Sequence, residues 1–555
     1  NTTGSQNVAV GSLALDANTI GCRGVAIGYN AMGANTDGNF NTAVGRSALA
    51  TNTTGDNNVS VGYASLQNST TSGGNTSVGM ESMFLNTTGA NNTAMGLCSL
   101  RANTTGANNV AIGRDSLATN TTASGNTAIG ESALELTTTG CCNTAVGNGA
   151  LQANTTGDDN VSVGQAALAF ATTADNNTAV GRFAMFCNTT GANNTALGFC
   201  SLRSNTTAAG NVAIGAFALD ASTTGANNVA IGEYALSAST TAAENTAVGP
   251  FSLSTNTTGA VNSAFGRGAL QLNTTGANNV AVGTNALLNN TTGSQNIAFG
   301  KYAGCGITTG SDNISIGRDS MLAAVTSTYN VGIGTQALAA LTSGFGNVAV
   351  GCGALKTNTA GEVNVAIGCR SMDANTTGNC NTFVGKDAGL SNTVGFRNSG
   401  FGIKAGENVT TGDQNVFVGF ESGAQGGMIN ITTEDNRAVF GHNNITNAYV
   451  KVAFTVTSDQ RDKTNLGTVP HGLDFINQLN PVSFQFKKSR DNDTPTGDVR
   501  YGFLAQDILA LEGDNPVIID TEFEDALKYK GEHLVPVLVN AIKELKAEID
   551  ELKKG

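Results

Sequence analysis

Asn109-Val110-Ala111-Ile112-Gly113 is one copy of a pattern that returns every 17 residues. Glycine follows an apolar residue at Gly11, Gly28, Gly45 and Gly62, and continues without a slip to Gly419, which places 25 glycines in register. Four residues before each glycine stands Asn, from Asn7 to Asn415, with Gly24 the single exception. The residue just before the glycine is always Val, Ile, Leu, Met or Phe. Ala or Ser stands three residues after it, and Leu or Met usually four after it, as at Leu15, Met32, Leu49 and Leu66. The remainder of the unit is commonly Asn-Thr-Thr-Gly, a turn composition. A strict period of this length marks a stacked repeat, in which each unit buries its apolar side against its neighbours.

Side chains on a strand alternate between faces, so Val110 and Ile112 share one face and Ala111 and Gly113 the other. The bulkier pair is expected to join the Leu phase in the core of each coil. The Ala/Gly face is then expected to admit the close approach of another backbone, such as a neighbouring subunit. Asn at a fixed phase reads as a ladder of amides bonding from coil to coil, or as a residue serving its own turn, and both can hold. Seventeen residues make a small coil, expected as two short strands and two turns, and a rise of about 4.8 Å per coil gives a shaft of roughly 115 Å. No loop is inserted anywhere, whereas solenoids that bind or cut ligands usually carry loops out of one face.

The fold class expected is therefore mainly β: a 17-residue-repeat β-solenoid or β-roll shaft over 1–424. Near its end the Leu phase turns to glycine at Gly304, Gly389, Gly406 and Gly423, and the next comparable glycine, Gly441, comes 22 residues on rather than 17. A β-rich neck is placed at 425–457 and a small α+β domain at 458–555.

Composition narrows the function. Glycine numbers 71 of 555 residues, charged residues make up only 12%, and the net charge is −13, which argues against nucleic acid or an anionic membrane surface as partner. No apolar run approaches the roughly 18–20 residues of a membrane span. The chain opens at Asn1 in mid-repeat, so an attachment region is expected ahead of it. The ten cysteines lack CxxC pairs and histidine partners, so neither zinc nor any other metal or cofactor is expected. Cys352 and Cys369 share a phase on neighbouring coils and are expected as free, packed thiols. The many Asn-x-Thr triplets are a product of the repeat, and count as glycosylation sites only on a eukaryotic secretory route.

From Ser458 the composition changes: charges and prolines gather, and two of the three histidines, His471 and His533, lie here. Leu538, Ile542, Leu545, Ile549 and Leu552 are spaced as a heptad seam on a helix expected at about 533–554. Such a short seam fits either a helix packed on its own domain or one strand of a terminal three-stranded bundle.

The Asn-x-Val-Ala-Ile-Gly-x-x-Ala pattern resembles the head repeats of trimeric autotransporter adhesins and the shaft repeats of viral and phage fibres, over about residues 1–424. The C-terminal segment carries Ser458-Asp459-Gln460-Arg461-Asp462-Lys463, then Gly472-Leu473-Asp474-Phe475-Ile476 leading to Leu479-Asn480-Pro481-Val482. Tyr501-Gly502-Phe503-Leu504-Ala505-Gln506 and the closing Leu534-Val535-Pro536-Val537-Leu538 follow. In these residues it resembles the intramolecular chaperone domain of phage endosialidases and tail fibres. The resemblance implies a domain that trimerises, helps the upstream β fibre fold and cuts itself off with a Ser/Lys dyad. By position Ser458 would be the nucleophile, attacking the carbonyl of Thr457, and Lys463 the base, a role that requires burial of the amine. Read without the resemblance, Ser458 caps a turn with Asp459 and Lys463 is solvated.

Physics supplies a reason for such a domain. A uniform repeat has no internal marker of register, and a one-repeat slip between chains costs only the contacts of a terminal coil. A terminal domain joining three chains at one point sets the register before the shaft closes. The function expected is a homotrimeric structural fibre, a tail fibre or tail spike on a virion, acting outside the cell in host attachment. Its partners would be a host-surface glycan or protein and other virion or tail proteins, and its only chemistry a single-turnover self-cleavage at Thr457-Ser458. A bacterial surface adhesin is the alternative. A polysaccharide-degrading spike ranks lower, because it needs paired carboxylates in a groove and the repeats offer none. Ice binding by threonine arrays ranks last, since adjacent Thr-Thr in a turn points to opposite faces.

Overall fold

The computed structural model describes residues 2–445, 448–451, 458–522 and 527–555, in two units, 1–398 and 399–555. The first unit is a β-solenoid. Its 23 strands, β1 (Val8–Val10) to β23 (Thr382–Val384), are three residues long and recur once per 17-residue coil. Neighbours pair parallel and in register, as in Val110↔Thr127, Ala111↔Ala128 and Ile112↔Ile129.

Each coil has one strand, not the two expected. The rest of the coil still bonds upward and downward: Ser47 N–H donates to Tyr29 O (2.9 Å), Leu49 N–H to Ser65 O (3.0 Å) and Thr53 N–H to Thr70 O (2.8 Å). The residues two and four after each glycine are left-handed, with φ of 59° at Ser47 and 52° at Leu49, so this stretch cannot take strand dihedrals. The glycine itself is fixed for a different reason. Gly28 has φ +136°, and a Cβ there would lie 2.5 Å from the carbonyl oxygen of Gly45 in the next coil. Backbone stacks on backbone at this phase, which is why the glycines never slip.

The strand faces are reversed from the expectation. The central Ala of each strand points inward and is fully buried at Ala26, Ala111 and Ala230, while the outer Ile27, Ile129 and Ile231 are 39%, 38% and 37% exposed. The core of a coil is this Ala or Ser, the Ala or Ser three after the glycine, and the Leu or Met four after it. A 17-residue coil is too narrow to hold two β-branched side chains beside that Leu. They go outside, where they still suit a strand, and lay an apolar stripe along the solenoid.

Both readings of the Asn phase hold. Asn58 N–H donates to Asn41 Oδ1 (2.9 Å), and Asn58 Nδ2 donates to Asn41 Oδ1 (3.2 Å) and to Ser72 O (2.9 Å), all in neighbouring coils, while Asn160 Nδ2 also donates within its own turn to Asp158 O (3.0 Å). A second ladder runs through the Asn of Asn-Thr-Thr-Gly: Asn35 Nδ2 donates to Asn18 Oδ1 (2.9 Å) and Asn52 Nδ2 to Asn35 Oδ1 (2.8 Å). Both ladders are fully buried over most of their length, where an amide left unbonded would be costly.

Glycine at the Leu phase comes with a filler elsewhere in the same coil. Phe383 replaces the usual Ala opposite Gly389, and its ring lies 2.8 Å from where a Cβ on Gly389 would be. Ile307, buried at the second Asn phase, fills beside Gly304. The cysteines of the shaft are free thiols; Cys352 and Cys369 are exposed rather than packed.

The second unit opens with three further rungs, β24 (Ser399–Phe401), β25 (Val416–Val418) and β26 (Ala438–Phe440), paired parallel in that order. The same size exchange recurs here between Phe417 and Gly423. The rung β26 lies inside the 425–457 segment expected as a neck, with the extra residues of the longer repeat accommodated before it. Arg437 takes the Asn phase there, its N–H donating to Asn415 Oδ1 (2.8 Å). After it come α1 (Leu473–Gln478), the antiparallel hairpin β27 (Val482–Ser489) and β28 (Asn492–Gly502), and α2 (Ala505–Glu512). The short pair β29 (Ile519–Asp520) and β30 (Lys528–Tyr529) and the final helix α3 (Leu534–Leu552) complete the unit. Phe475, Ile508, Ile518, Ile519, Leu534 and Val537 form its core.

Candidate functional site

The segment that opens at Ser458 turns at once. Residues Gln460–Asp462 form a single 3-10 turn, and Asp459 caps it: Asp459 Oδ1 accepts from Arg461 N–H at 2.9 Å. The Arg461 guanidinium closes back on the same carboxylate at 2.6 Å and holds Asp459 below the usual carboxylate range. Asp462 N–H donates to Asp459 O (3.2 Å) and Lys463 N–H to Gln460 O (3.1 Å). This fold-back returns residue 463 to residue 458, and Lys463 Nζ donates to Ser458 Oγ at 2.7 Å. The cap of the turn is thus Asp459 alone, and the serine hydroxyl faces the lysine.

A hydroxyl within hydrogen-bond reach of an amine is the minimal nucleophile–base arrangement. Both residues are exposed in the single chain, so the dry surroundings that suit a lysine base are not supplied within it. Thr457, the other half of the expected scissile bond, lies outside the described residues.

Behind this turn, α1 and α3 are tied together. Glu544 of α3 accepts from Leu473 N–H at 2.5 Å, at the start of α1, and Asn540 Nδ2 donates to Val469 O at 3.2 Å. The carboxylate sits where the helix end presents unpaired N–H groups. The helix α3 turns Leu534, Val537 and Ala541 into the domain. Its heptad seam faces out: Leu538, Ile542, Leu545, Ile549 and Leu552 are 40%, 65%, 45%, 40% and 81% exposed.

Residues 458–515 match the model of a peptidase family described as the chaperone of endosialidase. This segment is an endosialidase-type chaperone domain. The match begins at Ser458, includes Lys463, and ends just beyond α2. No curated protein matches the chain. A segment of this type following a long 17-residue-repeat solenoid fits a tail-fibre- or tail-spike-like protein.

Two features of the C-terminal region are not evident in the sequence. The Glu544 cap joins residues 71 apart. Glu512 accepts three backbone N–H groups, of Val517 (2.8 Å), Ile518 (2.6 Å) and Ile519 (2.9 Å), and so shapes the turn after α2. Neither acid belongs to a motif or a period that would have marked it.

Proposed function

We propose that the chain is a homotrimeric fibre of a virus or phage, borne on the virion and used in host attachment. Its chaperone domain joins three chains, sets the register of their shafts, and then cuts itself off at Thr457-Ser458. The observation that carries this reading is the exposed seam of α3. Five apolar side chains at heptad spacing face solvent in the single chain, between 40% and 81% exposed, and burying the exposed part of each in a bundle contributes about 1 kcal/mol. The Val/Ile stripe on the outer strand face of the solenoid supports the same assembly, since a long exposed apolar stripe marks an interaction surface.

Cleavage follows from the Ser458–Lys463 contact once neighbouring chains bury it. Lys463 takes the hydroxyl proton as Ser458 Oγ attacks the Thr457 carbonyl carbon. The C–O bond forms, the Thr457–Ser458 C–N bond breaks, and the proton passes to the freed α-amino group of Ser458. Water then hydrolyses the resulting ester, giving the Thr457 carboxylate and restoring the hydroxyl. Each chain reacts once, with positioning supplying much of the rate.

Solution mass of the full chain, together with denaturing gels of wild type and Ser458→Ala, tests the reading. A trimer, and a C-terminal fragment starting at Ser458 that Ser458→Ala abolishes, are expected. A monomer at micromolar concentration contradicts the assembly, and cleavage unaffected by Ser458→Ala contradicts the dyad.

A further inference from the structure

Four aromatic rings line up on one side of the solenoid. Phe199 meets Phe217 edge-on at 5.2 Å; Phe217 and Tyr234 stack at 5.0 Å with planes 7° apart; Tyr234 and Phe251 stack at 5.5 Å with planes 10° apart. The last three occupy the same phase, two residues after the repeat glycine, in consecutive coils. The next residue at that phase is Gly268. One face of Phe251 is therefore covered by Tyr234, and its other face looks onto a position without a side chain.

A notch of about 320 Å³ opens there, lined by Phe251, Arg267, Gln271, Asn285 and Leu288. A Cβ on Gly268 would lie 2.5 Å from Asn285 Oδ1 and 3.2 Å from Gln271 Oε1, so both carboxamides lean into the vacated place. Among the described residues, the side chains of Arg267, Gln271 and Asn285 make no hydrogen bond or ion pair. Charged and amide side chains elsewhere on the shaft do pair coil to coil, as in Arg101–Glu81 and Gln152–Glu135. Three unpaired polar side chains therefore converge beside one open ring face, in a space at the lower end of small-ligand sites, about 300–1,000 Å³.

We infer that this notch is a saccharide-binding site that takes one pyranose ring bearing a carboxylate, as in a uronic acid. The sugar continues the aromatic stack in the notch outward of Gly268, at the edge of the Asn285 and Gln271 carboxamides that lean over that glycine. Its C–H face lies on the negative face of Phe251; Gln271 and Asn285 offer donors and acceptors to its hydroxyls. Arg267 meets the carboxylate with its forked donors. The slot is closed on the far side by Asn285 one coil beyond Gly268, which limits it to a single ring.

This site names a ligand class for the host-attachment role and rests on that reading. The test uses the full chain, with binding to uronic-acid-terminated and neutral oligosaccharides measured by glycan array and by saturation-transfer NMR. The wild type is expected to bind the acidic saccharides. Phe251→Ala is expected to weaken this by about tenfold, and Arg267→Ala to remove the preference for acidic over neutral sugars. Gly268→Phe plugs the slot, and Phe251 and Asn285 show that its phase tolerates a side chain at φ of 60° and 58°. That variant is expected to lose binding while keeping the circular dichroism, thermal midpoint and solution mass of wild type. Wild-type affinity in Gly268→Phe, or a trimeric chain that binds no acidic saccharide, overturns the site and leaves the fibre reading intact. A monomeric wild type overturns the fibre reading, whatever it binds.

Discussion

Phe383 stands in the space that Gly389 vacates: the phenyl ring of one lies 2.8 Å from where the Cβ of the other would be. The coil core holds a constant volume, and the Ala and Leu phases share it. Phe383→Ala alone is expected to cost about 3–5 kcal/mol through the cavity it leaves. Gly389→Leu alone is expected to cost about 1–3 kcal/mol by overpacking. The double variant restores the common Ala-plus-Leu coil and is expected to lie within about 1 kcal/mol of wild type. Leucines at this phase already adopt the same left-handed backbone, with φ of 52° at Leu49. A double-mutant cycle by thermal or denaturant unfolding measures the coupling.

Asp220 and Asp373 give the shaft a pH dependence of unusual sign. Burial raises both carboxyls above the ordinary carboxylate range, against the opposing pull of Arg203 on the first and of Lys356 and Arg370 on the second. Each has a buried Oδ1 without a hydrogen-bond partner. A raised folded-state value means that the folded chain holds the proton more tightly than the unfolded chain. Stability from these sites therefore rises as pH falls through the folded-state value, and the penalty of the buried charge is complete above it. Asp220→Asn with Asp373→Asn is expected to raise the thermal midpoint at pH 7. The gain is expected to shrink at a pH below the ordinary carboxylate range, which melting curves at the two pH values compare directly.

Glu512 holds the turn after α2 through three backbone N–H groups. Removing the carboxylate leaves donors near the buried Ile518 and Ile519 without partners. Glu512→Ala is expected to destabilise the chaperone domain by about 1–3 kcal/mol, and Glu512→Gln, which keeps one acceptor, by less. Hydrogen exchange at the Ile518 and Ile519 amides checks the local effect.

Ile542 is the most exposed seam residue short of the chain end, at 65%. Ile542→Asp is expected to leave the single domain folded, because the inward residues of α3 are Leu534, Val537 and Ala541. It is expected to lower the assembly state, since a charge in an apolar seam costs far more when buried than when solvated. Light scattering of the variant beside wild type separates the two effects.

Much of this was legible in the residues, and the exceptions have physical causes. The period of 17, the glycine ladder and the first Asn ladder follow from spacing alone, because each depends on equivalent residues meeting in adjacent coils. The faces of the strand do not. Alternation assigns Val110 and Ile112 to one side but leaves open which side is inside, and only the narrowness of the coil sends Ala111 inward. The missing second strand was hidden by left-handed residues such as Ser47 and Leu49, types for which that conformation is uncommon. The second Asn ladder could have been found from the fixed phase of Asn18, Asn35 and Asn52, which looked like turn composition. In the C-terminal region, residue identities pointed to Ser458 and Lys463. Their contact depends on the intervening 3-10 turn, whose Asp459 cap is a local signal, whereas Glu544 and Glu512 act across distances that no spacing rule reaches.

The central claim is that a terminal clamp fixes the register of otherwise interchangeable coils. A photo-crosslinking residue placed at Val161, on the outer strand face and 37% exposed, tests it in the assembled full chain by mass spectrometry. The account predicts inter-chain cross-links confined to the residues of one coil height. Cross-links spread over positions 17 residues apart, or none between chains, would contradict it.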